Sequence, residues 1–262
     1  METAADIREV LKRFEGISLA GMDSVQLMDR IDTKYVTKEG KLGAVLGEAA
    51  AAGCRVLEIH GERLMEYESL YYDTPDLQMY TIHRSGHADR QKIRVRTYGT
   101  TGTTFLEVKR KNNKGRTKKK RMPIPTGCME DFRDAAGAEE FVETWSRYGA
   151  GQVEPACGIR FRRITLVNRE KTERVTIDTG IAFDSHRTGE KILLEDAVII
   201  EVKQGGRTSS RFKEILRSNR IHPSRVSKYC IGTVLTDPSA RPGRFREKIR
   251  DIEKTTNRIY WI

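Results

Sequence analysis

The segment Lys92–Tyr98 reads KIRVRTY, and its residue pattern decides which fold the sequence predicts. Its three basic side chains alternate with Ile93 and Val95. Successive side chains of a β-strand point to opposite faces, so this alternation sends all three charges to one face. Basic side chains in a row on one face form a wall that suits phosphate groups.

The same alternation of polar and apolar residues recurs in four other segments. The polar-face positions are Arg30, Asp32 and Lys34; Phe105, Glu107, Lys109 and Lys111; Arg174, Thr176 and Asp178; and Glu201 and Lys203. Across all five segments, the apolar positions on the opposite faces are Ile31, Ile93, Val95, Leu106, Val108, Val175, Ile177, Ile200 and Val202. For any single strand, a simpler interpretation is an exposed face with charges pointing to water. Five such strands together favour a shared polar interior.

A closed barrel gives many strands one interior, because its strands alternate inward and outward residues throughout. The sequence therefore predicts an α+β fold in which an antiparallel β-barrel forms a basic tunnel, flanked by helices that cover the apolar faces. Helices are predicted at residues 39–52, 129–148, 209–220 and 227–236, with serine caps for the last two.

No linker or repeat of fixed period divides the strands, so we expect one domain of residues 1–262 with a tunnel core at about 29–236. A basic, loosely amphipathic helix is predicted at about 242–262. It has two interpretations, a helix that packs on the domain or one that contacts a membrane surface or a partner.

The formal net charge of +11 points to an anionic partner. Charge alone does not choose among nucleic acid, anionic lipid and a free polyanion. Four cysteines are far apart and form no CxxC pair, so neither a zinc knuckle nor a disulfide framework is expected, and a reducing cytoplasm fits. An apolar run long enough to span a bilayer is absent from the sequence, which predicts a soluble chain.

The most basic stretch, residues 110–121, reads RKNNKGRTKKKR and contains turn-forming residues. A solvated hairpin tip is the simpler interpretation. Binding of RNA or polyphosphate by this hairpin without catalysis is an alternative, but the stretch has no aromatic residue on which a base could stack.

An interior lined with arginine and lysine would be unstable unless a polyanion, counter-ions or water occupied it. Arginine forks match phosphate oxygens and lysines add point charges, so the lining favours a chain of phosphates. Glu201 is an acid among these bases. It could hold a divalent cation between itself and phosphate, or it could simply pair with Lys203 or a neighbouring arginine.

Two common phosphate or metal chemistries have no support. The sequence contains no GxxxxGK[ST] loop, and its five histidines are scattered without ligand spacing. A Walker-type nucleotidase and a zinc hydrolase are therefore disfavoured.

The chain resembles a known family, the polyphosphate polymerase domain of the vacuolar transporter chaperone (VTC) type, within the triphosphate tunnel metalloenzyme or CYTH-like superfamily. The resemblance runs from about Asp29 to Thr236. It is carried by the segments RIDTKYV from Arg30, YYDTPDLQMY from Tyr71, KIRVRTYG from Lys92, FLEVKRK from Phe105, FRRITL from Phe161, RVTIDT from Arg174, IIEVK from Ile199 and SKY from Ser227.

The resemblance implies a role for individual residues of this chain. Catalytic roles fall on Lys34, Arg94, Arg96, Arg163 and Arg174. Substrate-binding roles fall on Lys109, Lys119, Arg121, Lys203 and Lys228. Glu201 matches the family's metal-binding glutamate, for Mn²⁺ or Mg²⁺, and the part of Asp32 in metal binding stays open. Within FRRITL, Arg163 is preferred to Arg162 as the inward residue.

The activity that the resemblance implies is metal-dependent transfer of the ATP γ-phosphoryl group onto a growing polyphosphate chain. A triphosphatase of the same superfamily, acting on inorganic triphosphate or a nucleotide, is the nearest alternative. The expected partners are ATP and polyphosphate, together with a membrane-protein partner that would hold the cytoplasmic protein at the inner face of a membrane. No nucleic-acid partner is expected.

Overall fold

A computed structural model of the chain describes residues 4–23, 30–114, 116–206 and 209–260. The strands are β1 Glu15–Ile17, β2 Arg30–Lys38, β3 Arg55–Leu57, β4 Met65–Asp73, β5 Arg90–Tyr98, β6 Thr103–Lys111, β7 Thr117–Ile124, β8 Glu154–Val167, β9 Glu173–Ser185, β10 Lys191–Leu194 and β11 Ala197–Gly205. The α-helices are α1 Ala4–Leu11, α2 Leu19–Asp23, α3 Leu42–Ala51, α4 Gln78–Arg84, α5 Ala138–Trp145, α6 Arg211–Ser218, α7 Lys228–Thr236 and α8 Phe245–Thr256. Short 3₁₀ helices lie at Glu39–Lys41, Thr126–Cys128, Phe132–Asp134 and Ala150–Gln152.

The strands form one large sheet in the order β2-β11-β9-β8-β4-β5-β6-β7, with every pair along this path antiparallel. Strand β10 adds to β9 and β3 adds to β8, and β1 pairs in parallel with β3. The sheet curls so far that Lys109 of β6 lies in electrostatic contact with Glu201 of β11 and Lys34 of β2. The predicted antiparallel tunnel with flanking helices is confirmed. Its sheet is not strictly closed, because among the described residues the end strands β2 and β7 do not pair.

The outward faces carry the apolar residues that the alternation predicts, and helices cover them. Helices α1, α3 and α6 pack over Val175, Ile177, Ile200 and Val202 through buried residues such as Leu46. Over β5 and β6, the equivalent apolar residues meet α5 and the 3₁₀ helix before it. Eight of the nine predicted outward residues are buried. The prediction is wrong for Ile31, which is 41% exposed because it lies near the end of the edge strand β2.

The segment 129–148 is not the single helix that the sequence predicts. A 3₁₀ turn at Phe132–Asp134 precedes the eight-residue helix α5. Gly137 separates the two with φ of 76°, a left-handed conformation that interrupts a right-handed helix and that glycine adopts readily. The Asp131 carboxylate also accepts a hydrogen bond from the Arg133 backbone amide, which caps the 3₁₀ turn.

The C-terminal helix α8 packs on the domain. Its buried residues Phe245, Ile249 and Ile252 join the apolar cluster that also contains Tyr229 and Val234 of α7. The predicted helix extended to residue 262, but α8 ends at Thr256, and residues 261–262 lie outside the described residues. None of the helices in the described part of the chain is long and apolar enough to cross a membrane.

Helix α7 is pressed closely against the sheet. A Cβ atom added at Gly232 would lie 2.5 Å from the ring of Phe183 and 2.9 Å from Cys157 Sγ, both buried. At the start of the helix, Tyr229 donates a hydrogen bond to the buried carboxylate of Asp73 on β4. The absence of a side chain at residue 232 is therefore what allows α7 to sit against β8 and β9.

We expect Gly232→Ala to destabilise the protein by roughly 1–3 kcal/mol, because the new methyl group overpacks a filled core. The measurement is the free energy of unfolding from denaturant titration. Gly47→Ala in α3 is the matched control, since nothing lies within 4 Å of a Cβ there. Removing a glycine from a helix interior should stabilise the protein by about 0.5–1 kcal/mol. Equal effects of the two substitutions would contradict the close packing of α7.

Candidate functional site in the tunnel

Strand register places charged side chains from seven strands on the inner face of the curled sheet. Directly paired residues of antiparallel strands share a face, and Lys34 pairs with Glu201, Arg174 with Lys203, Arg163 with Asp178, Arg94 with Glu107 and Lys109 with Lys119. We call this inner surface the tunnel face. Its charged residues include Asp32, Lys34, Lys92, Arg94, Arg96, Glu107, Lys109, Lys119, Arg121, Arg163, Arg174, Asp178, Glu201 and Lys203, together with Lys228 from α7.

Glu201 lies at the centre of a cluster of lysines. Lys34 Nζ is 2.6 Å from Glu201 Oε1, and Lys203 Nζ is 3.4 Å from Oε2. Lys109 of β6 interacts electrostatically with the same carboxylate. Burial favours the neutral acid, but Lys34 and Lys203 hold the pKa of Glu201 well below its usual range. The carboxylate is therefore ionised at any physiological pH.

Asp178 organises a second cluster. Arg163 donates to it with both Nε, at 2.6 Å, and Nη2, at 2.7 Å, and Lys228 donates from the first residue of α7. The Arg163 guanidinium also lies 4.9 Å from the ring centroid of Tyr67 and 5.0 Å from that of Phe161. Stacking and bidentate hydrogen bonding together fix the plane of the guanidinium. Arg163 is thus the inward residue, as preferred over Arg162.

Glu107 holds a third cluster, on β5 to β7. Arg94 Nε lies 2.6 Å from Glu107 Oε2, and Lys119 pairs with the other carboxylate oxygen. Arg94 Nη1 donates to the Tyr71 hydroxyl at 2.8 Å. Burial raises the pKa of Tyr71, but Arg94 and Lys92 outweigh it and lower this pKa to about 7. Arg96, next along β5, donates from Nε to Ser69 Oγ at 2.9 Å.

These three carboxylates explain how a basic interior is stable in the protein itself. Leaving a charge buried without a partner is strongly unfavourable, and each of Glu107, Asp178 and Glu201 contacts two cations. Burial lowers the pKa values of Arg94 and Arg163, but the attraction of Tyr71 and Glu107 for Arg94, and of Asp178 for Arg163, outweighs it and raises both pKa values. From the sequence, a bound polyanion, counter-ions or water is expected to provide this balance, and Glu201 is the one acid assigned a role in the site, with that of Asp32 left open.

Glu107 and Asp178 were missed as site residues, although the signal was available. Both occupy the same alternate positions as the basic residues of their strands. Lys92 was likewise left out of the predicted site. Its ammonium donates to Ser227 Oγ at 2.9 Å and so connects β5 to the start of α7. Tyr67 and Tyr71 lie on the same face, because they are four residues apart on β4 and side chains at even spacing share a face of a strand.

Helix α7 brings Lys228 to the tunnel. Ser227 caps the helix by accepting a hydrogen bond from the Cys230 amide at 3.3 Å. The cap fixes where the helix begins, and its first residue then points at Asp178.

Three tunnel lysines are unusually easy to deprotonate. Burial lowers the pKa of Lys109, Lys203 and Lys228 to about 8 in each case, although Glu201 or Asp178 opposes the shift. Neighbouring cations add to the lowering, Arg163 for Lys203 and Lys228 and Lys92 for Lys109. An anion bound among them would favour their charged forms.

The remaining residues to place are the predicted Arg174 and Arg121, and Asp32, whose role stayed open. Arg174 is half-buried and pairs in register with Lys203. Arg121 is exposed, and its guanidinium lies 4.7 Å from the ring centroid of Phe105. Asp32 is also exposed, opposite Lys203.

The donor set limits how a metal ion could bind. Among the described residues, no group of three or more histidine, cysteine, aspartate or glutamate side chains is placed to hold a metal ion. Glu201 is a single ionised carboxylate surrounded by lysines, which suit phosphate groups. Mg²⁺ is commonly bound by one or two carboxylates plus substrate phosphates and water, so the site fits a cation whose other ligands are phosphate oxygens.

Comparison with known proteins identifies the family of this chain. No curated protein matches the sequence. Among solved structures, the Hippeastrum protein HpAC1, described as an adenylyl cyclase candidate with a dominant triphosphatase activity, matches with a TM-score of 0.50 at 14% identity, over 79% of this chain and 96% of that one. An adenylate cyclase candidate of Vibrio parahaemolyticus matches with a TM-score of 0.46 at 12% identity, over 77% and 96%. The family model of the VTC domain matches residues 29–236, and the chain belongs to the VTC domain family.

Proposed function

We propose that this protein is a metal-dependent polyphosphate polymerase that transfers the γ-phosphoryl group of ATP onto a growing polyphosphate chain inside the tunnel. Family membership supports phosphoryl-transfer chemistry on triphosphates. The finer assignment, polymerase activity, is supported by the charge of the tunnel face.

The carrying observation is an excess of positive charge. The charged residues named above for the tunnel face are eleven basic side chains and four carboxylates, and together they carry a net charge of +7. A triphosphate, with roughly one to two negative charges per phosphate group, does not fully neutralise these residues. A longer phosphate chain brings the charge that the internal carboxylates leave uncompensated.

The chemistry needs positioning and charge stabilisation more than a covalent nucleophile. A terminal oxygen of the polyphosphate chain attacks the γ-phosphorus, the bond from that phosphorus to the β-phosphate oxygen breaks, and ADP leaves. In this scheme Lys34, Arg94, Arg96, Arg163 and Arg174 hold the reacting phosphates and stabilise the developing charge. Lys109, Lys119, Arg121, Lys203 and Lys228 bind the rest of the substrate or product.

Glu201 would hold the Mn²⁺ or Mg²⁺ ion in this proposal. A bound divalent ion supplies charge neutralisation at the phosphate oxygens. Lys34 and Lys203 keep the carboxylate ionised and ready to accept the ion. Entry of substrate must release some of these lysine contacts, and the lysines then become free to contact phosphate.

A cytoplasmic location and a membrane-protein partner remain predictions.

Hydrolysis is the second candidate, because water can replace the polyphosphate chain as acceptor in the same site. HpAC1, which shares the fold, is described as having a dominant triphosphatase activity. Product length separates the two functions, since a triphosphatase releases free phosphate and forms no long anion.

We expect the purified protein with ATP and Mn²⁺ or Mg²⁺ to form a ladder of polyphosphate on a polyacrylamide gel. Glu201→Gln should lower the rate by about 100-fold or more, because it removes the ionised metal-binding carboxylate while keeping the size of the side chain. Binding of ATP in EDTA should persist in this variant, since the substitution leaves the basic residues in place.

Glu66→Gln is the matched control, because Glu66 is an exposed carboxylate on the outer side of β4. It should leave the ladder unchanged. Free phosphate without a ladder would assign triphosphatase activity instead. Turnover by Glu201→Gln at the wild-type rate, in protein whose unfolding temperature is unchanged, would disprove the metal role.

Binding of ATP should take up protons at pH 8.5 but much less at pH 6.5. The pKa values of Lys109, Lys203 and Lys228 are about 8, so these lysines are partly neutral at pH 8.5 in the free protein, and an adjacent polyanion raises their pKa and charges them. Tyr71, with a pKa near 7, adds uptake of the same sign. Affinity should therefore fall as the pH rises above 8.

Calorimetric titration in EDTA, in two buffers of different ionisation enthalpy, measures the number of protons exchanged. Lys228→Met should reduce the uptake at pH 8.5, because it removes one of the three lysines. Proton release at pH 8.5, or the same exchange at both pH values, would mean that the phosphates do not bind beside these lysines.

A further inference from the structure

The positive charge of this chain is concentrated in one hairpin. Residues 109–121 contain nine lysines and arginines and no acidic residue. The whole chain has a formal net charge of +11, so the rest of the molecule carries only +2. This segment is the end of β6, the turn and most of β7. The excess charge that points to an anionic partner therefore has a definite location.

The hairpin presents cations both to the tunnel and to its outside. Lys109, Lys119 and Arg121 belong to the tunnel face. We call a second set the outer hairpin cations, and all of them are exposed: Arg110, Lys114, Arg116, Lys118 and Lys120. Within the described ranges, none of these five has a carboxylate within 4.0 Å. Their charge is therefore not balanced by any carboxylate in the described part of the chain.

The two sets are continuous along the same strands. Lys118 and Lys120 alternate with Lys119 and Arg121 on β7, which ends the sheet path, so the far side of this strand has no neighbouring strand in the described structure. With a rise of about 3.4 Å per residue, cations on the tunnel face and outside follow one another at close spacing. Asn112 and Arg116 are joined by two hydrogen bonds: the Arg116 amide donates to Asn112 Oδ1 at 3.0 Å, and the Asn112 amide donates to the Arg116 carbonyl at 3.0 Å.

We propose that the outer hairpin cations form a second polyphosphate-binding surface, which holds the part of a long chain that extends beyond the tunnel. The inference rests on the proposed function, since it takes polyphosphate as the ligand of the tunnel. It adds a preference for chain length: a triphosphate fits within the tunnel face, whereas a long chain contacts the tunnel and the hairpin together. Simultaneous contact raises affinity because the second contact is intramolecular.

The composition of the hairpin favours polyphosphate over the other polyanions. RNA binding without sequence preference uses aromatic platforms for base stacking. Residues 109–121 contain no aromatic side chain, and the nearby exposed ring of Trp145 has the Lys120 ammonium 4.3 Å from its centroid. The segment also has no apolar side chain to insert into a lipid bilayer. It offers charge alone, which is what an inorganic phosphate chain requires.

The test compares binding of long-chain polyphosphate and tripolyphosphate by a variant that carries R110Q, K114Q, R116Q and K118Q. Lys120 is kept, because it packs on Trp145. Removing four phosphate contacts should weaken long-chain binding by roughly 10-fold or more at low salt and flatten its salt dependence. Affinity for tripolyphosphate should stay within about twofold, since no tunnel-face residue is changed.

A second quadruple variant, R169Q, R217Q, R220Q and R250Q, is the matched control. These four arginines are exposed and lie on other elements, so the change in net charge is the same. It should bind long-chain polyphosphate like the wild type. Equal weakening by both variants would reduce the effect to net charge, and an equal loss of tripolyphosphate binding in the hairpin variant would remove the distinction from the tunnel. Either result overturns the inference.

Failure of the proposed function is distinguishable from failure of this inference. A protein that forms no ladder, yet loses long-chain binding only through the hairpin substitutions, would lack polymerase activity while still having the surface. RNA of similar charge and vesicles of anionic lipid serve as competitors. The inference is wrong if either competitor displaces polyphosphate from the wild type, but not from the hairpin variant, at a lower concentration than added polyphosphate requires. The surface would then belong to that competitor.

Discussion

The structure depends on the balance of charge inside the tunnel. Three carboxylates, Glu107, Asp178 and Glu201, each bridge two cations from neighbouring elements. They compensate part of the cost of placing so many bases on an inner face. This compensation stabilises the interior in the protein alone. The compensation is incomplete, and the remaining positive charge attracts anions. In the proposed function, phosphate competes with these carboxylates for the same bases.

This charge balance requires an apolar exterior on the same strands. Each residue that sends a charge inward is followed by one that points outward, and the outward set forms the cores under α3, α5 and α6. The covering helices are therefore not independent of the site. Helix α7 both covers the sheet and contributes to the site, because Gly232 lets it lie against the sheet while Lys228 reaches Asp178. A change in how this helix packs would displace a tunnel cation.

The fold does not by itself specify a reaction. HpAC1 shares it at 14% identity, and superfamily folds host different chemistries. In this chain, the bases named for the tunnel face outnumber its carboxylates, and a hairpin continues the basic surface outward. Both features concern the length of the anion rather than the bond that is broken. Chain length is accordingly the property on which the proposed activity and the hairpin inference can be tested separately.

The sequence by itself determined five strands of the tunnel, their polar and apolar faces, and most of the covering helices. These features follow from local geometry, because a period of two in a strand and a serine at a helix start, such as Ser210 and Ser227, act over a few residues. Only the tertiary structure decided which acid pairs with which base, that the sheet stays open between β2 and β7, and that Gly137 divides segment 129–148. It also decided that Lys109, Lys203 and Lys228 have pKa values near 8. Ion pairing and burial depend on residues that are distant in sequence, and their energies exist only once the sheet has curled to bring those residues together.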